Sequence, residues 1–455
     1  MIGALLGALL ATVLGVVNPG ATNRDATAER FVKQGAPATS QGPTAVPGSA
    51  QGGVPGADLT VYLMTMGYGE KVWERFGHNA IRIVDASRGT DSVYNWGTFD
   101  FQQPNFLGRF LTGNTLYWMQ GDGMAETMAT YQYLNRSVWV QELDFAPAER
   151  AAVRDFIAWN ARPENRYYRY DYYLDNCSTR VRDIIDRIVG GQLKAMTASR
   201  LTNTTYRFHT QRALSFDRGV AMGTNIGLGE VADRPISQWE ESFLPGRLQE
   251  HVRALQVRAP DGTSHPLVNN EQVLFAAHRL PEPTAPPNDM LRNFMIGAVI
   301  AGALVLVARA ARRGSRAGRI VFTTVGTIWT GLNGLLGVLL IVGWAATRHV
   351  FMARNENLLQ FDPLSLVLAV LLPMALSRGR SAALVRKLAP VVAVVALVGL
   401  AIKVLPWFDQ ANIAVIALTL PAHLALAWAV RTLVPDTVPT RPAATAQAVV
   451  SRSAA

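Results

Sequence analysis

A single cysteine, Cys177, occurs in 455 residues. That excludes a disulfide framework, a zinc ribbon and any iron–sulfur cluster held by the chain's own thiolates. Charged side chains are also scarce, at 17% of the residues against 49% apolar, and the mean hydropathy is +0.13. Such a balance does not suit a purely soluble protein of this length. Acidic residues are the rarer sign, 33 against 43 basic, which leaves a net charge of +10. So basic a chain invites a nucleic-acid reading. Much of the excess lies in short connections between apolar segments, however, where membrane topology accounts for it. No nucleic-acid partner is expected. Nor do the histidines carry ligand spacing: His209, His251, His265 and His278 form no set with His78, so neither a metal nor a cofactor is expected.

What the chain has in plenty is unevenly spread. Residues 1–17 are apolar but lack a basic leader, which reads as a signal or a membrane anchor. Residues 18–58 form a linker, with mixed charge over 24–34 that suits a short helix. A Gly/Pro/Ala/Ser/Thr-rich run follows over 35–57, with too little apolar bulk to offset the entropy of ordering. Residues 59–285 read as a folded domain, closed by the proline-rich HRLPEPTAPPNDM. Residues 290–431 hold five apolar segments, at about 292–309, 320–346, 363–377, 387–405 and 410–430, the third short for a crossing. Arg309, Arg312, Arg313, Arg316 and Arg319 join the first pair, and Arg378, Arg380, Arg386 and Lys387 the third and fourth. The positive-inside rule puts these loops and the tail 432–455 in the cytoplasm. The folded domain then lies outside, in the periplasm of a two-membrane bacterium.

Within that domain LTVYLMTMG, NAIRIVD, DSVYNWG, LYWMQG and SVWVQELDF read as strands. The period changes at Pro147. PAERAAVRDFIAWN places Val153, Phe156, Ile157 and Asn160 at helical spacing, with proline acceptable in the first turn. A second helix follows Cys177, with Val181, Ile184, Ile185 and Ile188 as its apolar stripe and Gly190–Gly191 as its stop. The fold class is α+β.

Cys177 stands directly before this second stripe. A thiol in a first helical turn meets unpaired N–H groups and the positive end of the helix, both of which favour thiolate. Its neighbours Asp175, Asn176, Ser178, Thr179 and Arg180 are poor company for a buried filler. His78, in FGHNAIRI, follows a glycine and opens a strand, a place from which an imidazole can serve a thiol as general base. Asn95, on the next strand, is the choice for orienting the histidine, with Asp91 and Asp100 as rivals. For the oxyanion the Cys177 backbone N–H is the natural donor, helped by Asn176 or Ser178. Arg82, Arg166 and Arg180 are candidates for holding a lipid phosphate. The tyrosines of ENRYYRYDYY, Tyr170 among them, suit either a headgroup grip, an acyl slot or plain packing. The outward loop MARNENLLQFDP is a candidate docking surface between domain and membrane segments, or an ordinary turn.

The runs VYLMTMGYGEKVWERFGHNAIRI, VYNWGTFDF, PNFLGRFLTG, NRSVWVQELDF and NRYYRYDYYLDNCSTRVRDII resemble the Lnb N-terminal periplasmic domain family over about residues 59–250. TYRFH, GLGEVADRPIS and ESFLP resemble its trailing motifs, and NENLLQFDPL the loop of membrane-bound members. The resemblance implies a circularly permuted papain-like cysteine-enzyme domain, with histidine before cysteine along the chain, followed here by an all-helical transmembrane bundle. Its FGH and NCST motifs carry the pair onto His78 and Cys177. It further implies a lipoprotein N-acyltransferase of the inner membrane, with a phospholipid acyl donor and the N-terminal amine of an exported lipoprotein as acceptor. The long Gly/Pro-rich linker and the number of crossings depart from soluble or lipid-anchored relatives. Two other readings of the same residues stand beside it: a cysteine hydrolase (cell-wall peptidase, amidase or phospholipase) and a non-catalytic envelope-binding module.

Overall fold

The computed structural model describes residues 54–259 and 261–434. The expected signal or anchor, nearly all of the linker and the C-terminal tail lie outside them. In chain order the elements are β1 (Leu59–Met66), β2 (His78–Asp85), β3 (Thr90–Thr98), α1 (Phe106–Thr112), β4 (Leu116–Gly123), α2 (Met124–Tyr133), β5 (Val138–Leu143), α3 (Pro147–Asn160), β6 (Tyr167–Arg169) and α4 (Cys177–Ile188). Then come α5 (Gln192–Thr197), α6 (Tyr206–Ala213), α7 (Arg218–Gly227), α8 (Gln238–Glu241), α9 (Pro245–Ala254), β7 (Gln256–Arg258), β8 (Ser264–Pro266) and β9 (Val268–Phe275). The membrane part adds α10 (Met290–Arg312), α11 (Arg316–Ala346), α12 (Leu364–Arg378), α13 (Ala382–Ala401) and α14 (Ile413–Leu433). The chain divides into two compact units.

The first unit, residues up to Pro287 together with Gly343–Asn355, is built on a seven-stranded sheet of order β6-β4-β3-β2-β1-β5-β9, antiparallel at every pairing. Its central strands are buried on both faces. Val61, Leu63, Ile81, Ile83 and Trp96 pack with Val153 and Ile157 of α3, Val181 and Ile185 of α4, and Leu248 and Val252 of α9. On the other face Met64, Met66, Ala80, Val93, Val138 and Val140 meet Met124 and Met128 of α2. This double cover explains why β1 reads as a nearly continuous apolar run rather than an alternating one. The Trp96 indole donates to Asn160 Oδ1 at 2.8 Å, so the helix α3 stripe ends on a polar tie rather than an apolar one.

Residues 343–355 are the surprise of this unit. The sequence reads them as the end of the second apolar segment and the loop after it, yet Phe351 is buried with its ring centroid 4.5 Å from Tyr173 and 4.9 Å from Tyr206. Asn355 donates to the Ile226 and Gly227 carbonyls at 2.8 and 3.0 Å, and the Gly229 N–H donates to the Phe351 carbonyl at 2.7 Å.

Beside that segment, Arg207 and Asp233 form an ion pair whose side chains are 3% and 5% exposed. The guanidinium also donates to the Asn225, Leu228 and Gly229 carbonyls. Removing one partner strands the other charge in a poorly solvated place. Arg207→Met is therefore expected to lower the unfolding free energy by about 3–5 kcal/mol. Thermal unfolding of the detergent-solubilised protein checks this; a midpoint equal to wild type would refute it.

The second unit, Asn288–Val342 with the chain from Glu356 on, is helical. Among the described residues, α10, α11, α13 and α14 are each long and apolar enough to cross a membrane. The 15-residue α12 passes only together with residues 350–359, as a pair bent by 42° that forms either a broken span or a re-entrant loop. The helices share a core of Leu304, Phe322, Leu368, Leu372, Val385, Val392 and Leu426. Close approach is bought with small residues: a Cβ added at Gly297 would stand 2.4 Å from the Leu418 carbonyl oxygen. The polar NENLLQFDP segment is absorbed here from Glu356 on. Glu356 pairs with Lys403, Asn412 donates to Asn357, and Gln360 accepts from Thr419 while its carbonyl meets His423.

Candidate active site

Three chain segments converge at one end of the sheet. β2 begins at His78 because Gly77 turns the chain with φ +84°, and a Cβ there would stand 2.8 Å from the Met66 carbonyl oxygen. A side chain is thus excluded before the histidine, which gives the FGH motif a local reason. On the neighbouring strand Asn95 pairs in register with Ala80. The β3–β4 register slips between Trp96 and Thr98 around Gly97, whose φ is +98°. A Cβ at Gly97 would lie 3.6 Å from the Cys177 Cβ, so the bulge opens the space into which the thiol projects.

The third segment is the start of α4. Asp171 Oδ1 accepts from the Tyr173 and Leu174 N–H groups, both at 2.9 Å, and shapes the turn that delivers the helix. Asn176 is the N-cap: its Oδ1 accepts from the Thr179 N–H at 2.9 Å, and its Nδ2 donates to the Tyr172 and Phe243 carbonyls at 3.0 and 2.9 Å. The Ser178 hydroxyl lies 2.8 Å from Asn79 Oδ1 and 2.7 Å from the Ser242 carbonyl oxygen. Asn79 in turn donates to the Met64 carbonyl and Thr65 Oγ1, so the first turn of α4 is latched to β2 and β1.

These constraints bring His78, Asn95 and Cys177 together. His78 Nε2 is 3.0 Å from Asn95 Oδ1, and the same imidazole lies near enough to the Cys177 thiol to influence it. Asn95 Nδ2 donates to Asp122 Oδ2 at 3.3 Å, and the other Asp122 oxygen accepts from Gln120. Cys177 is partly exposed. Burial alone would push its thiol up, but the His78 charge and hydrogen bond, with the backbone N–H groups of Asn79 and Ser178, outweigh it and hold the thiol below its ordinary value.

The remaining expected site residues have other occupations. Asn176, expected as an oxyanion helper, has its amide committed to capping and to two carbonyls, because a helix start needs that donor and acceptor set more than the solvent does. Arg82 binds Asp91 through two 2.7 Å hydrogen bonds and lies over the Tyr62 ring, so its charge is matched on the sheet, and the rival Asp91 is spoken for as well. Asp100 accepts from the Gln102 N–H in a turn. Arg180 is paired with Asp175 and sits 4.1 Å above the Tyr168 ring. Arg166 lies over Trp118 and Tyr167. Tyr170 stacks on Tyr117 at 4.2 Å, and burial keeps the phenols of Tyr168 and Tyr170 protonated well above the ordinary tyrosine range. Two partners of the site were not read from the sequence: the carboxamide of Asn79 and, through Asn95, the acid Asp122. Asp122 alternates with Gln120 on a strand edge, a pattern that marks a face but not what the face meets.

Two family models match the chain: one described as the Lnb N-terminal periplasmic domain over residues 49–212, and one described as the Lnb transmembrane domain over residues 292–432. No curated protein and no solved structure matches it.

Proposed function

With a chain that belongs to the Lnb family in both its periplasmic and its transmembrane part, we propose that Cys177 and His78 are the pair that carries its chemistry. The protein is a multi-pass inner-membrane thiol acyltransferase whose catalytic domain is periplasmic, and it moves a fatty acyl chain from phospholipid to the N-terminal amine of exported lipoproteins. The observation that supports the assignment is the placing of the His78 ring: its Nε2 meets Asn95 at 3.0 Å, and the imidazole stands beside the Cys177 thiol and holds it below its ordinary value.

The cycle then balances as follows. The Cys177 thiolate attacks the ester carbonyl carbon, and the charge that develops on oxygen is met by the Cys177 backbone N–H at the positive end of α4. The ester C–O bond breaks, and the lysophospholipid oxygen takes the proton held on His78. The acceptor amine next attacks the thioester carbonyl and gives a proton to His78 as the C–S bond breaks. Amide and thiolate result, in ping-pong order. Asn95 acts through His78 as a positioning residue and Asp122 through Asn95.

Intact-mass measurement on detergent-purified protein incubated with a defined phospholipid tests this reading. One fatty-acyl mass is expected on the protein, labile to hydroxylamine and discharged by an N-terminal diacylated lipopeptide. An intact phospholipid and an unmodified protein would overturn it. Asn95→Ala is expected to slow acylation by about 10-fold to 100-fold, less than loss of the base itself. Asn95→Gln, or a kcat unchanged in Asn95→Ala, separates orientation of the ring from mere packing: rescue is expected only where the carboxamide can again reach Nε2.

A further inference from the structure

The catalytic unit exposes an aromatic surface that the chemistry above does not use. Trp73 is 53% exposed, Phe101 60%, and on α1 Leu107 and Leu111 are 67% and 60%. These side chains are not scattered. Trp73 packs edge-on against Phe99 and Phe101, and Phe99 lies 6.3 Å from Phe106 of α1. A soluble domain rarely leaves so many large apolar groups together in water.

Two further observations say what covers it. The C-terminal end of α1 is tied to residues of its own unit that adjoin a membrane helix: the Thr112 carbonyl accepts from the Arg348 N–H at 3.0 Å, and the Phe110 carbonyl oxygen is 2.9 Å from His349 Nε2. Arg348 and His349 follow directly after α11, a 31-residue apolar helix that ends at Ala346. A segment so close to the end of a span lies at the level of the headgroups, which is where tryptophan and short amphipathic helices prefer to be. The surface is also continuous with the thiol. Phe99 stacks on Tyr117 at 4.9 Å, Tyr117 on Tyr170 at 4.2 Å, and Gly97, two residues before Phe99, lies against Cys177.

We propose that α1 with Trp73, Phe99 and Phe101 is a lipid-binding surface that enters the bilayer interface and leads one phospholipid acyl chain along the Tyr117–Tyr170 stack to Cys177. The proposal rests on the acyl-transfer reading and adds to it the route by which the donor leaves the membrane. The PNFLGRFLTG motif gains a task from it: an apolar helix face lying in the interface, with Gly108 leaving room for the Asn105 side chain, whose Oδ1 a Cβ would meet at 2.3 Å.

Full-length protein is reconstituted in vesicles of long-chain phosphatidylethanolamine and phosphatidylglycerol, and the rate of acyl-adduct formation is compared with that from dihexanoyl phosphatidylcholine supplied as dissolved monomer. The double variant Leu107→Glu/Leu111→Glu changes two exposed residues. The ratio of long-chain to short-chain rates is expected to fall at least tenfold. Tyr133→Glu, on the well-exposed face of α2 outside the surface, is expected to leave that ratio unchanged. An unaltered ratio in the double variant, or an equal fall with both donors, overturns the proposal while leaving acyl transfer standing. A wild-type protein that takes no acyl group from either donor overturns both.

Discussion

Cys177→Ala is expected to lose acyl transfer by about 10⁴-fold or more, with no acyl mass on the protein at any incubation time. No other nucleophile in the site can take over the acyl group. The adjacent Ser178 hydroxyl is fully buried and faces Asn79 and the Ser242 carbonyl, turned toward the sheet rather than toward the opening at Gly97. The same variant is expected to fold. Cys177 is partly exposed, and the first turn of α4 is held by Asn176, Thr179 and Ser178 rather than by the sulfur, so the unfolding free energy should change by about 1 kcal/mol or less. A Cys177→Ala protein with full turnover would refute a thioester mechanism. A protein inactive because it is unfolded would show itself in the thermal midpoint.

His78→Gln should produce the second-largest effect, about 10²-fold to 10⁴-fold in the rate of acylation, because it removes both the proton acceptor and the charge that holds the thiol down. The sign of the accompanying pH change follows from the balance at Cys177. Burial raises the thiol, and the His78 charge and hydrogen bond lower it by more, with the Asn79 and Ser178 N–H groups helping. Taking His78 away leaves burial opposed only by two neutral donors, so the thiol must rise. The acid limb of Cys177 alkylation by iodoacetamide is therefore expected to move to higher pH in His78→Gln, and alkylation near neutral pH to slow. A profile that stays in place would mean that the imidazole does not govern the thiol. This readout is independent of lipid, so it distinguishes a failed base from a failed donor.

Much of the scaffold was legible in residue order. The stripe Val181, Ile184, Ile185 and Ile188 after Cys177 predicts α4, and the strands of the sheet follow from alternating or doubly apolar runs between turn residues. Five apolar stretches, with arginine-rich loops at alternate connections, give the membrane part and its orientation. These signals are local: each depends on a period or a cap that a short window contains. The pairing of His78 with Cys177 was half legible, since each residue sits at a recognisable strand or helix start, but nothing in a window says that the two starts meet.

Charge partners were the least legible. Arg82 and Arg180 look available on the chain, yet Asp91 and Asp175 take them, one across a strand pair and one across a tight turn. Asn176 reads as a polar neighbour of the thiol and turns out to be the helix cap, a choice fixed by the position of Thr179 and by the distant Phe243 carbonyl.

Sequence alone determined the α+β class of the exported domain, the apolar helices and their cytoplasmic loops, and it marked Cys177 and His78 as the candidates for thiol chemistry, because periodicity, capping and charge bias act between near neighbours. Tertiary structure decided that His78 and Cys177 meet, that His78 Nε2 is held by Asn95 with Asp122 behind it, that residues 343–355 fold with the catalytic unit, and that the aromatic rings pack in one contiguous group. Those facts depend on strand register, on the bulge at Gly97 and on side chains brought together from remote parts of the chain, and such contacts leave no period in the sequence.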